Sequence, residues 1–192
     1  MVVDNHNVID ADAHCTWVTV ENLSQGLCAG SRPHFFRGVC TIVCKLFNIV
    51  DPDMAFFGKK DYQQWRVLER MARDLDFGIE IVGVPIFREP DGLAMSSRNL
   101  LLSSENRQNA LSIYRSLSKV KQNHTSNGAI SVLRIKEEIA GEIIAAGGRI
   151  DYVEVADSKS LVPVDTMESG RPILVAVAAF FGSVRLIDNI EL

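Results

Sequence analysis

Residues 54–87 constrain the fold more than any other stretch of this chain. MAFFG at 54–58 is a short apolar run of strand length, and its composition matches a strand buried on both faces. A polar segment follows, within FGKKDYQQ at 57–64, and then Trp65, Leu68, Met71, Ala72 and Leu75 recur at helical spacing until Gly78. IEIVGVPIF at 79–87 supplies a second β-rich run. Strand, polar loop, helix and strand in that order form a β-α-β unit, whose strands are expected to be parallel with a right-handed crossover. In open parallel sheets ligands bind beyond the carboxyl ends of the strands, where helix N-termini also present free N–H groups. FGKKDYQQ falls at that place.

Around this unit the chain reads as α/β. Residues 1–14 are polar and acidic without a period and read as a loop or frayed tail. CTWVTVE at 15–21 alternates like a strand. From Phe36 to Ile49 the apolar positions Val39, Ile42, Val43, Leu46 and Phe47 mark a helix, stopped by Asp51-Pro52. REPDGLAMSSRN at 88–99 is a loop by its Pro, Gly, Asp and Ser content. A helix starts near Ser104, with Ala110, Ile113, Tyr114, Leu117 and Val120 on one face, and is closed by KQNHTSNG. A further helix spans about 131–146 and ends at Gly147-Gly148; IDYVEVAD, ILVAVAAFF and SVRLIDNI then read as three strands. The expected organisation is a tail over 1–15, part of a parallel-sheet domain over 16–87, and a smaller α+β domain over 88–192. No internal repeat is present.

Composition narrows the function classes. A formal net charge of −4, with basic residues interspersed among acidic ones, offers no electrostatic footprint for nucleic acid. The longest apolar run, ILVAVAAFFG, falls short of the roughly 20 residues a membrane-spanning helix needs. The first residues, MVVDNHNVIDADAH, lack a basic n-region and carry aspartates, so a cytoplasmic location is expected. Cys15, Cys28, Cys40 and Cys44 all lie in the first quarter of the chain, which is not a disulfide framework. Cys40 and Cys44 stand one helical turn apart near His34, but without a CxxC pair or HxxxH they read as small buried helix residues.

Two loops carry chemistry. In FGKKDYQQ, Asp61 and Gln64 fit a capping-box variant, which is one sufficient account of both. It leaves Lys60 unexplained, because a cation at the positive end of a helix dipole is disfavoured unless an anion lies there to be neutralised. GLAMSSRN at 92–99 places Ser96, Ser97 and Arg98 in a glycine-started loop, as donors and a fixed positive charge for a polyphosphate, or as ordinary turn and surface residues. Taken together, the two loops group cations and donors suited to charge developing on an attacked α-phosphate. In RPHFFRG, Arg37 is either a surface residue or an anion ligand, and His34 reads as structural; His6, His14 and His124 lie in polar loops.

SRPHFFRGV, KLFNIVDPDMAFFGKKDYQQ, REPDGLAMSSRN and the closing RLIDNIEL, in that order, resemble the pantothenate synthetase (pantoate–beta-alanine ligase) family, its plant members most closely. The resemblance runs from about Thr16 to the C-terminus. It implies a Rossmann-like nucleotidylyltransferase domain with a smaller C-terminal domain, a homodimer, and an AMP-forming ligase that joins pantoate to beta-alanine through pantoyl adenylate. It implies ATP and Mg²⁺, the metal being carried by the nucleotide with no metal site of the protein's own. By position the family's GxKD matches Gly58, Lys59, Lys60 and Asp61, with Lys60 on the phosphates; Gln64 matches the pantoate-binding glutamine. Phe87 corresponds to a position whose backbone meets the adenine, and Met95, Ser96, Ser97 and Arg98 match the phosphate loop. Lys60, Ser96, Ser97 and Arg98 are thereby the expected catalytic group.

Two departures accompany the resemblance. Phe35 stands in HFF where most bacterial members have histidine in GHF, and no HxGH motif of the kind the family carries upstream occurs in the chain. Little ligase activity is therefore expected from these 192 residues by themselves. The alternative to an active ligase is a catalytically silent chain that acts as a dimer partner or a non-functional fragment.

Overall fold

In the computed structural model, residues 15–32, 34–124, 130–167 and 170–192 are described; the expected tail over 1–14 lies outside them, as do His6, His14 and the TSNG segment. The chain divides into two compact units, one comprising residues up to Phe57 together with Gln63–Gly83, the other Gly58–Tyr62 together with Val84–Leu192.

The first unit opens with residues 15–20, which pair with no strand among the described residues. Alternation had marked this stretch as a strand, but alternation fixes which side chains point together and supplies no ladder partner. Here the Val18 N–H instead donates to Thr41 Oγ1 at 3.0 Å. After the short α1 (Leu27–Ser31) comes α2 (Phe35–Val50), close to the expected bounds. Its end is set by Asp51, whose left-handed backbone (φ 48°) lets its N–H close on the Phe47 carbonyl, and by Pro52 beyond it. The buried face differs from the expected one: Phe36, Cys40, Thr41 and Phe47 are buried, while Ile42, Leu46, Ile49 and Val50 are exposed. The helix is apolar around most of its circumference, so periodicity alone did not fix the inward face.

Strand β1 (Met54–Gly58), α3 (Tyr62–Asp74) and β2 (Glu80–Val84) build the expected β-α-β unit, with β1 and β2 neighbours in a parallel two-stranded sheet. Helix α3 buries Trp65, Val67, Leu68, Met71 and Ala72 but leaves Leu75 exposed, since the helix has already ended. Asp76 (φ 54°) turns the chain there, with the Phe77 N–H on the Ala72 carbonyl and the Asp76 N–H on that of Arg73, a Schellman end. Phe77 then packs edge-on against Phe47 of α2. Strand β1 is not buried on both faces: Met54 and Phe56 are exposed. Strand β2 stops at Val84, before Pro85, instead of running to Phe87.

The second unit carries the larger core. Strands β4 (Arg149–Asp157), β6 (Ile173–Phe181) and β7 (Val184–Glu191) form an antiparallel sheet in the order β4-β6-β7. A separate small antiparallel pair is made by β3 (Ile130–Ser131) and β5 (Thr166–Met167). The helix expected from Ser104 is two helices, α4 (Ser104–Asn109) and α5 (Leu111–His124), with Ala110 as the break. Ser103 caps α4 by accepting from the Asn106 N–H at 3.2 Å. Helix α6 (Val132–Ala145) ends as expected at Gly147-Gly148, where Gly147 (φ 78°) and Gly148 donate to the carbonyls of Ile144 and Ile143.

Helices α5 and α6 lay Ile113, Leu117, Ile135, Ile139 and Ile143 on the sheet face formed by Val153, Val155, Val175, Val177, Phe181 and Leu186. Period-two alternation places Val184, Leu186, Asp188 and Ile190 of β7 on that core face, with Asp188 directly opposite Val177. A carboxylate therefore occupies a position that the pattern assigns to an apolar side chain.

Candidate active site

The residues following β1 form a single 3-10 turn, Lys59–Asp61, that leads straight into α3. Asp61 lies inside this turn and is exposed, so it is not the cap residue that the capping-box account requires. The turn is held by β7: Asn189 Nδ2 donates to the carbonyls of Lys59 (2.9 Å) and Lys60 (3.1 Å). The two lysines differ in their surroundings. Lys59 Nζ pairs with Glu191 at 2.7 Å, and Tyr62, whose hydroxyl donates to the same carboxylate at 2.8 Å, is buried beside it. Lys60 is half-buried and lines a small open cleft, which it shares with Leu93, Ala94, Ser96, Asn99, Leu186 and Asp188.

The loop that brings Ser96 to this pocket is a tight hairpin. The Met95 N–H donates to the Phe87 carbonyl (2.9 Å), and the Glu89 N–H to that of Leu93 (2.8 Å). The Gly92 N–H closes the turn on Glu89 at 2.8 Å, with Pro90 second and glycine fourth, the residues this turn favours. Gly92 adopts φ +100°, and an added Cβ would come within 2.1 Å of the Tyr114 ring, so the position demands glycine twice over. Arg88 stacks over Tyr114 at 4.8 Å, pairs with both oxygens of Asp188 (2.7 and 3.0 Å), and donates to the Gly92 carbonyl at 3.0 Å.

Beyond the hairpin, Ser96 caps a 3-10 helix, Ser97–Leu101, its Oγ accepting from the Arg98 N–H at 3.2 Å. Asn99 Nδ2 donates to the Ala94 carbonyl (3.1 Å), while its Oδ1 is buried without a partner at the pocket. Ser97 and Arg98 are exposed; the Arg98 guanidinium reaches the Arg185 carbonyl at 3.3 Å. Met95 and Phe87 are exposed, at 51% and 71%.

Of the expected site residues, Lys60 and Ser96 thus meet at one pocket, Met95, Ser97 and Arg98 sit on its hairpin and helix, and Gly58 precedes the turn. Gln64, half-exposed, lies on the part of α3 that belongs to the first unit. Its neighbour Gln63 is buried and fully engaged: Nε2 donates to the carbonyls of Leu23 and Gln25, each at 2.9 Å, and Oε1 accepts from the Cys28 N–H at 3.0 Å. Asn99, Asp188, Arg88 and Asn189 escaped the sequence reading. Their one signal was a consecutive Asp-Asn pair inside the alternation of the last strand, where one of the two must face the core side of the sheet.

The lining is mostly apolar, with Leu93, Ala94, Ile113 and Leu186 beside Lys60 and Ser96, and its one carboxylate, Asp188, is paired with Arg88. Among the described residues no three His, Cys, Asp or Glu side chains converge on a point that could hold a metal. At Cys40 burial pushes the thiol up to about 11, with Cys44 beside it adding to the effect, the opposite of what a thiolate ligand requires.

A relative from Arabidopsis thaliana named pantoate–beta-alanine ligase is 57% identical over 179 residues, covering 93% of this chain and 57% of its own length. The crystal structure of pantothenate synthetase from Thermus thermophilus superposes with a TM-score of 0.85 at 39% identity, over 95% of this chain and 66% of that one. The pantoate-beta-alanine ligase from Francisella tularensis, solved as a complex with beta-gamma ATP and beta-alanine, gives 0.68 at 28% identity, over 94% of this chain and 59% of that one. The chain thus spans 57% of the length of the Arabidopsis relative. The model of the Pantoate-beta-alanine ligase family matches residues 4–191, and with a match along nearly its whole length the chain belongs to that family.

Proposed function

We propose that this chain carries the ATP-phosphate side of an AMP-forming ligase that condenses pantoate with beta-alanine. The observation that carries the reading is that Lys60, just after β1, and Ser96, on the hairpin, line one pocket whose carboxylate, Asp188, is paired with Arg88. In this reading a pantoate carboxylate oxygen attacks the α-phosphorus of ATP, the bond to pyrophosphate breaks, and pantoyl adenylate forms. The neutral amine of beta-alanine then attacks the acyl carbon, AMP departs, and the amine loses its proton to solvent. Both anions must approach in the first step, so Lys60 offsets their repulsion and stabilises the charge that grows on the phosphoryl oxygens. Magnesium arriving with the triphosphate adds Lewis-acid polarisation to that step. Ser96, Ser97 and Arg98 contact the phosphates, Gly58, Lys59, Asp61, Phe87 and Met95 complete the nucleotide contacts, and Gln64 holds pantoate; the second step needs orientation more than a perturbed base. A cytoplasmic homodimer belongs to the same proposal.

The test is pantoate-dependent pyrophosphate release from ATP and magnesium, with pantothenate measured after adding beta-alanine. It is run on the chain alone and on the chain fused behind the corresponding first part of the Arabidopsis relative. Release by either protein that falls at least tenfold in Lys60→Ala supports the reading. Release by the fusion only identifies the chain as silent by itself. No release from either folded protein overturns the assignment.

A further inference from the structure

The last strand carries two buried polar side chains in succession, and each holds one of the two loops of the pocket. Asp188 is 4% exposed and Asn189 5% exposed. Because they are neighbours on a strand, they point to opposite faces of the sheet. Asp188, on the core face among Leu186 and Val177, binds Arg88 through both oxygens, and the same guanidinium donates to the Gly92 carbonyl at the turn of the Ser96 hairpin. Asn189, on the other face, spends its amide on the carbonyls of Lys59 and Lys60, and its own N–H donates to Asp188 Oδ1 at 2.8 Å. The loops lie about 30 residues apart in sequence, yet their anchors lie one peptide unit apart, roughly 3.3 Å along the strand. Burying a carboxylate in an apolar layer is costly unless it is paired, and that pairing is what brings Arg88 and the hairpin to this point.

Resting on the reading of the pocket as a triphosphate site, we propose that Asp188 and Asn189 are positioning residues that fix the Lys60 turn against the Ser96 hairpin, so that the cation meets the reacting phosphate. Their effect runs through the Lys60 backbone and through Arg88.

The test combines hydrogen exchange with kinetics on the protein that shows release in the preceding assay. Asn189→Asp keeps the side-chain shape but replaces the donor by an acceptor; Asn189→Ser removes the amide without adding charge and is read the same way if the first variant fails to fold. Exchange is expected to quicken at least tenfold at the amides of residues 59–62 and to stay unchanged in β4 and β6. Turnover in adenylate formation is expected to fall at least tenfold while the KM for ATP moves less than threefold. In a Lys60→Ala background the Asn189 substitution is expected to cost less than twofold more, because both act through one group. Unchanged protection at 59–62 overturns the proposal, as do losses that multiply independently with Lys60→Ala. The exchange measurement needs no turnover: an inactive parent protein counts against the ligase reading, while the clamp still stands or falls on protection of the turn.

Discussion

Single residues here are decided by backbone conformation and by hydrogen bonds that sequence patterns do not display. Gly92 is needed both for its positive φ and for the Tyr114 ring packed against it. Gly92→Ala is expected to destabilise the second unit by about 1–3 kcal/mol, read as a lower urea midpoint with an unchanged slope. Asp157, the last residue of β4, is held by hydrogen bonds of the same local kind. The Ser160 N–H at 2.8 Å is the main cause, with the Ser160 hydroxyl, the Lys159 N–H and Arg171 adding to it against the opposing effect of burial, and they hold the Asp157 carboxyl at about 2. A depressed folded-state value means that the contribution is fully present above the unfolded value of about 3.9 and is lost as pH falls through about 2. Asp157→Asn should therefore be less stable than the parent at pH 5, with the gap closing as the pH drops from about 4 to 2 in urea titrations.

At the scale of elements, the reading from sequence succeeded where one face was plainly buried. Of the expected face, Ala110 and, on α5, Ile113, Leu117 and Val120 are buried as the spacing required, with Tyr114 half-buried, and the three last strands pair in the expected segments. It failed where the pattern was degenerate. Helix α2 is apolar on several sides, so Ile42 and Leu46 were assigned inward and lie outward. CTWVTVE alternates, but a strand is a relation between two segments, and the Val18 amide finds a threonine hydroxyl instead. The sequence picked out Lys60 and Ser96, which share the candidate pocket, but not the supports of their loops, because nothing local links Asn189 to Lys60 across 129 residues. The α6 helix gives a packing prediction: Ile139, wholly buried, faces the sheet core, and Ile139→Ala should cost roughly 2–5 kcal/mol in chemical denaturation.

Across the whole molecule the two units differ in how completely their apolar surface is buried. The second encloses a continuous core between helices and sheet. The first leaves Ile49, Val50, Met54 and Phe56 exposed at 77%, 64%, 45% and 63%. Exposed apolar side chains of this kind bind hydrophobic dyes and favour association where they form a continuous patch. Replacing Ile49 and Val50 with glutamine is expected to lower dye fluorescence and light scattering at micromolar concentration without lowering the unfolding free energy by more than about 0.5 kcal/mol. The proposed phosphate pocket lies in the other unit, where a turn, a hairpin and one strand bring Lys60 and Ser96 to a common space.

The most direct test of that account is calorimetric titration of the purified chain with magnesium-ATP, set beside its Lys60→Ala variant. Saturable binding that weakens at least tenfold in the variant, with both proteins equally folded by circular dichroism, is the predicted result. Equal affinity for the two proteins would mean that Lys60 does not meet the phosphates and would contradict the assignment of the pocket.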